Sequence, residues 1–399
     1  MLTAFLGPYI PHAGLNLTDA VSLYTRFHNH SCAFHVNNHP VFSSWSAVNS
    51  HLPWETSVQQ WDDEFYAPIA ARRLTRPFFL PFIYPANYSG DPVVPHVNGH
   101  CAEGTCPESP DYTSQRAILD GFGSALDGLW YWGCAPPADA VVNSSRDTVR
   151  ACRNSTHSAD AREYYVATPV SGPYSPHSAH NNRYTPSRGG QSIIDVWGEH
   201  VRSQPDMVIF TTWNDLGEHH YVGPYNLQKN YENEFAKYNT FPHLAYLELS
   251  AYYIQWYKQA AGSDAPNIPI GKEKVFYFYN LQPSNNSCLG DPLGPGRLVL
   301  DDPNYPLEDK LYATLLLNQS AEVSLTSGNA EAQTVQLPAG VVTFQVPQYP
   351  GEQRVVVKRG GAVLADVVGA ELVNSSSNPD VIARCDHQTF TGAAVLGNM

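Results

Sequence analysis

Met207-Val208-Ile209-Phe210-Thr211-Thr212-Trp213-Asn214-Asp215-Leu216-Gly217-Glu218-His219-His220-Tyr221-Val222-Gly223-Pro224 joins an unbroken apolar run to a stretch dense in acids, imidazoles and rings. Met207 to Phe210 has the length and composition of a fully buried strand. Asp215 and Glu218 therefore fall just beyond a strand's C-terminal end, where barrel enzymes carry their chemistry. Mutual repulsion and partial burial can drive the pKa values of two such carboxyls apart, leaving one protonated and one ionised. Those are the parts needed to cut a glycosidic bond. An isolated Asp-x-x-Glu pair is common in surface turns. Here the buried strand before it, and Trp213, His219, His220 and Tyr221 beside it, favour catalysis.

Other chemistries fit less well. His219 and His220 are adjacent, so they point in different directions, and the chain has no His-Glu-x-x-His or paired Cys-x-x-Cys spacing. No metal is expected, and the imidazoles are assigned to hydrogen bonding with sugar hydroxyls or with the carboxylates. No Gly-x-Ser-x-Gly elbow occurs. Gly189-Gly190 lacks the framework of a phosphate loop and reads as a turn, so no cofactor is expected either.

Outward from this stretch, the chain up to about residue 262 alternates short apolar runs with longer mixed segments, as β/α units do. Strands are expected at Pro40 to Trp45, Phe78 to Tyr84, Leu126 to Trp132, Tyr164 to Pro169 and Met207 to Trp213, with a weaker one at Leu2 to Leu6. Helices are expected at Asp19 to Phe27, with Thr18 as N-cap, at Ser192 to Arg202, and at Pro242 to Gln259. Trp45, Tyr84, Trp130, Tyr131, Trp132 and Tyr174 stand at or just past strand ends. Core packing is the commoner role of any one such ring. Trp45, Trp132 and Tyr174 are expected to stack on sugar, with Trp213, Asn214, His219, His220 and Tyr221 as further substrate contacts.

Beyond residue 270 the texture changes to short β-rich runs at Tyr312 to Leu317, Glu322 to Thr326, Thr334 to Leu337, Val341 to Val346 and Arg354 to Lys358. Ser327-Gly328-Asn329, Pro338-Ala339-Gly340 and Gly360-Gly361 punctuate them as turns. The expected division is a β/α domain over 1–270 and a β-sandwich over 271–399.

Bulk properties narrow the partners. A formal net charge of -14 offers no basic face to nucleic acid or to an anionic membrane. A neutral substrate suits it better, and no stretch approaches the length of a membrane span. Eight Asn-x-Ser/Thr sequons, at Asn16, Asn29, Asn87, Asn143, Asn154, Asn285, Asn318 and Asn374, point to a secreted glycoprotein. The cysteines agree with an oxidising compartment: Cys101 with Cys106, Cys134 with Cys152 and Cys288 with Cys385 are candidate pairs whose connectivity the sequence leaves open. Cys32 is left over. The start, Met1 to Pro8, lacks the basic region and apolar length of a signal peptide.

The run Thr212 to Pro224 resembles the Trp-Asn-Asp-Tyr-Gly-Glu-Ser-His-Tyr-Ile-Gly-Pro signature of glycoside hydrolase family 71, the fungal α-1,3-glucanases or mutanases. Val41 to Trp45, Leu126 to Gly133, Leu249 to Ile254, Ser324 to Gly328 and Leu337 to Val341 are also similar to the family. The resemblance implies a (β/α)8 TIM-type barrel followed by a β-sandwich, secretion, and hydrolysis of α-1,3-glucan with inversion by a monomer. It implies Asp215 and Glu218 as the catalytic carboxylates, here assigned as base and acid respectively. Inversion requires room for a water between them, a carboxyl separation of about 6.5–9.5 Å. Leu216 and His219 depart from the Tyr and Ser usual in the signature. With only five clear strands plus Leu2 to Leu6, the barrel is expected to lack its first strands here. The rival expectation is a non-catalytic α-glucan-binding glycoprotein.

Overall fold

Parallel strands follow one another in chain order through the first half of the protein. The computed structural model describes residues 17–44, 58–83, 112–133, 138–157, 162–173, 187–215, 219–223, 243–259, 268–281, 283, 308–373 and 389–397. Strand β1 (His35–Val36) forms an antiparallel pair with β2 (His39–Phe42), and β2 pairs in parallel with β3 (Phe78–Phe79). A parallel bridge from Phe82 to Trp130 links the end of β3 to β4 (Gly128–Trp130), which pairs in parallel with β5 (Tyr165–Val170). Next to β5 lies β6 (Met207–Phe210), joined by Asp206 N–H to Val166 O and Thr211 N–H to Val170 O, at 2.9 Å each. The apolar runs read as strands thus appear as β2 to β6, in order, and the protein is of mixed α/β class. Strand β3 is shorter than its run because Pro81, in the middle of it, has no N–H to give a ladder. The Leu2 to Leu6 run lies outside the described residues.

Helices intervene: α1 (Leu17–Phe27), α2 (Ala67–Ala71) after a π-helical turn at Trp61–Tyr66, α3 (Tyr112–Phe122), α4 (Ala138–Arg153), α5 (Gln191–Ser203) and α6 (Leu244–Gln259). Thr18, expected as the cap of α1, lies inside its first turn, where its carbonyl accepts from Ser22 Oγ. Leu17, Ala20, Val21 and Tyr24 form the buried stripe of α1.

The chain divides into two compact units. The first comprises 1–132, 140–169 and 203–209. Its core is ring-rich: Trp61 meets Phe79 at 4.3 Å between centroids, and Phe42 meets Phe65 at 4.9 Å. A buried carboxylate organises the N-terminal ends of the strands. Asp127, just ahead of β4, accepts from Arg76 at 2.8 Å, Arg162 at 2.6 Å and Phe79 N–H at 2.8 Å. Arg76 precedes β3 and Arg162 precedes β5, so one carboxylate ties three strand starts. A cavity of about 600 Å³, lined in part by these three residues, lies at this end. Charge at the bottom face of β/α architectures generally serves stability rather than catalysis. Cys152 on α4 is a free thiol buried in this core, and burial pushes its pKa up to about 12. It is therefore not half of a disulfide with Cys134, contrary to the candidate pairing. Cys32 is free and exposed. Cys101, Cys106, Cys134, Cys288 and Cys385 lie outside the described residues.

The second unit comprises 133–139, 170–202 and 210–399. It contains β7 (Lys274–Asn280), β8 (Lys310–Leu317), β9 (Ala321–Ser327), β10 (Gln333–Leu337), β11 (Gly340–Pro347), β12 (Gln353–Arg359), β13 (Ala362–Val368) and β14 (Thr389–Val395). They form two antiparallel four-stranded sheets, ordered β11-β8-β7-β14 and β10-β9-β12-β13. Val275, Tyr277, Leu311, Ala313 and Leu315 of the first sheet share one core with Val323, Leu325, Val355 and Val357 of the second. Along β8 and β9 these residues alternate, as one face of a strand requires. Gly360 and Gly361, both at positive φ, make the two-residue turn between β12 and β13 that the sequence marks.

Strands β7 and β8 are buried on both faces. One face meets the partner sheet, and the other meets the turn before α5 and the helix α6. Tyr312 lies against Gly189, where a Cβ would come within 2.5 Å of its ring, and Gly189 also sits at φ +66°. Thr314 Oγ1 donates to Gly189 O at 2.7 Å. Phe278 stacks on Tyr246 of α6 at 5.3 Å. The Gly189-Gly190 turn is thus a docking point for the sheet. Among the described residues no helix is long and apolar enough to cross a membrane.

Candidate active site

Past the end of β6 the chain doubles back on itself. Thr212 N–H donates to His220 O at 3.2 Å, Val222 N–H to Thr212 O at 3.0 Å, and Gly223 N–H to Trp213 O at 2.9 Å. These bonds pair residues 212–213 with 220–223, so the two limbs hold each other. Thr212 Oγ1 accepts from Asp215 N–H at 2.8 Å, which fixes the backbone where the first acid leaves the limb.

Asp215 is 38% exposed at its side chain, and its Oδ2 lies 3.7 Å from Nε2 of His220, whose side chain is wholly buried. That separation is an ion-pair distance, longer than a hydrogen bond. The second expected acid, Glu218, lies outside the described residues, as do Trp45, Tyr84 and Tyr174.

Trp213 is 54% exposed, unusual for so large a ring. Its indole rests on Gly223, where a Cβ would stand 2.8 Å from Cε2 and 2.4 Å from the Trp213 carbonyl oxygen. Only glycine leaves room for that approach. Asn214 is exposed beside it. His219, His220 and Tyr221 are buried, in contrast to Trp213 and Asn214 on the outgoing limb. Trp132, in the first unit, is half-buried and meets Trp130 edge-on at 5.7 Å.

His243 was not singled out by the sequence. Its ring stacks on Tyr221 at 4.3 Å between centroids and 10° between planes, and Nδ1–H donates to Tyr221 O at 3.1 Å. Burial holds its pKa at about 4, against the opposing pull of the backbone of Tyr221, Thr389 and His219. Its position just ahead of α6 marks a helix start, and no spacing connects it to the acids. Among the described residues no group of three or more His, Cys, Asp or Glu is gathered as for a metal ion.

A profile of glycosyl hydrolase family 71 matches residues 8–384. The chain belongs to that family. It is similar to a glucan endo-1,3-alpha-glucosidase of Schizosaccharomyces pombe, 33% identical over 277 residues that cover 67% of this chain and 59% of that protein. It is also similar to a mutanase of Penicillium rubens, 27% identical over 49% of this chain and 40% of the relative. An ascus wall endo-1,3-alpha-glucanase of Schizosaccharomyces pombe is 26% identical over 42% of this chain and 38% of its own length. This family 71 chain therefore spans about half the length of the curated relatives it matches.

Proposed function

We propose that this family 71 chain hydrolyses α-1,3-glucosidic bonds of α-1,3-glucan, with inversion. Asp215 acts as general base on a water and Glu218 as general acid on the leaving oxygen. The observation that carries the reading is Asp215 itself: a part-exposed carboxylate past a parallel strand, tethered by Thr212 and backed by the buried His220. Such a group can reach a water while its orientation is set from the interior. The names of the similar proteins supply the linkage.

Substrate contact falls to Trp213 and Asn214, which are exposed, while His220 and Tyr221 act as buried supports. Trp132, Trp45 and Tyr174 are the further rings expected to stack on sugar. The parallel order of β2 to β6 supports a β/α barrel over 1–270, and the two antiparallel sheets support a β-sandwich over 271–399. Secretion to the cell wall or beyond fits the exposure of Asn29, Asn143, Asn154 and Asn318, the described sequon asparagines.

The test is release of reducing sugar from insoluble α-1,3-glucan, with the anomer followed by NMR. Inversion of an α-linkage gives the β-hemiacetal first. Binding to the glucan without product, at long incubation, would favour the non-catalytic binding glycoprotein instead.

A further inference from the structure

His243 touches the carboxylate loop through its ring face and through Nδ1. The stacked Tyr221, whose carbonyl it engages, is the neighbour of His220, and His220 backs Asp215. The ring also meets Tyr246 of α6 edge-on at 5.6 Å, and Tyr246 stacks on Phe278 of β7 at 5.3 Å. One side chain, 3% exposed, thereby joins the returning limb of the loop to the antiparallel sheet.

We infer that His243 is a positioning residue for Asp215, and that through it the C-terminal sheets serve as scaffold for the reaction. The inference rests on the reading of Asp215 as catalytic. A ring present only to fill space would be replaced by phenylalanine without loss at the loop. A ring that anchors the Tyr221 carbonyl would not, because the donor at Nδ1 disappears.

The experiment combines amide hydrogen exchange with steady-state kinetics on α-1,3-glucan oligosaccharides. His243→Phe keeps the stacked ring and removes the donor. Exchange at Thr212, Val222 and Gly223 is expected to rise about tenfold while β8 and β9 stay protected. The same variant is expected to lose about tenfold in kcat with KM nearly unchanged. His243→Asn, which returns an N–H near the place of Nδ1, is expected to recover part of both. Unchanged loop exchange and kcat in the phenylalanine variant would overturn the inference, as would an equal rise in exchange over β8 and β9. If that variant does not fold, His243→Asn decides by the same criteria, with a smaller rise confined to the loop expected. A wild-type protein that releases no product overturns the functional reading and this inference with it, whereas an active wild type with unchanged exchange and kcat in the variant overturns this inference alone.

Discussion

The His220 imidazole, wholly buried, stands with Nε2 3.7 Å from Oδ2 of the part-exposed Asp215 carboxylate. One partner is fixed by the interior and the other meets solvent. His220→Gln is expected to lower kcat about tenfold with little change in KM, since it loosens orientation more than binding. Steady-state kinetics on α-1,3-glucan checks this. An unchanged kcat would mean that His220 does not orient Asp215.

Trp213 and Gly223 form a second linked pair. Trp213→Ala is expected to raise KM about tenfold, the loss of a stacking surface, while kcat changes less. Gly223→Ala should act in the same direction, because its Cβ would collide with the indole and the Trp213 carbonyl. Affinity pull-down on glucan reports both without relying on turnover.

Asp127 ties three strand starts through Arg76, Arg162 and the Phe79 amide. Asp127→Asn removes the negative charge facing two guanidinium groups and puts an NH2 donor in place of one acceptor oxygen, and is expected to cost about 3 kcal/mol of stability. Urea unfolding measures it; a loss near zero would show that solvent replaces the carboxylate.

The pH dependence of stability follows from His243. Burial lowers its folded pKa from 6.5 to about 4, so the unfolded chain takes up a proton that the folded chain refuses between those values. Its contribution is whole above about pH 6.5 and is lost as pH falls towards about 4, on the order of 3 kcal/mol at most. His243→Phe should flatten that part of the curve, as read from urea unfolding at several pH values. A curve of unchanged slope would contradict the assignment.

Much of this architecture is legible in the chain. The run Val166 to Val170 announces its strand because both sheet faces are covered. Met207 to Phe210 also forms a strand, but it is not the fully buried one expected, since only Ile209 is buried and its neighbours are part-exposed. Helix α4 is hidden because Ser144, Ser145 and Thr148 occupy its buried face, where an apolar stripe would have announced it. Asp215 and the exposed Trp213 lie in one contiguous run, so adjacency exposes them. The burial of His219, His220 and Tyr221 could not be read, since polar rings beside two acids look equally suited to touching sugar. His243 is farther still from legibility: its relation to the loop exists only after α6 is folded against β14.

Product release from α-1,3-glucan by the wild-type protein and by Asp215→Asn, compared at equal folded concentration, tests the proposed chemistry most directly. Hydrolysis by this carboxylate requires measurable reducing sugar from the wild type and a loss of about a thousandfold or more in the variant. Equal activity in both proteins would contradict it.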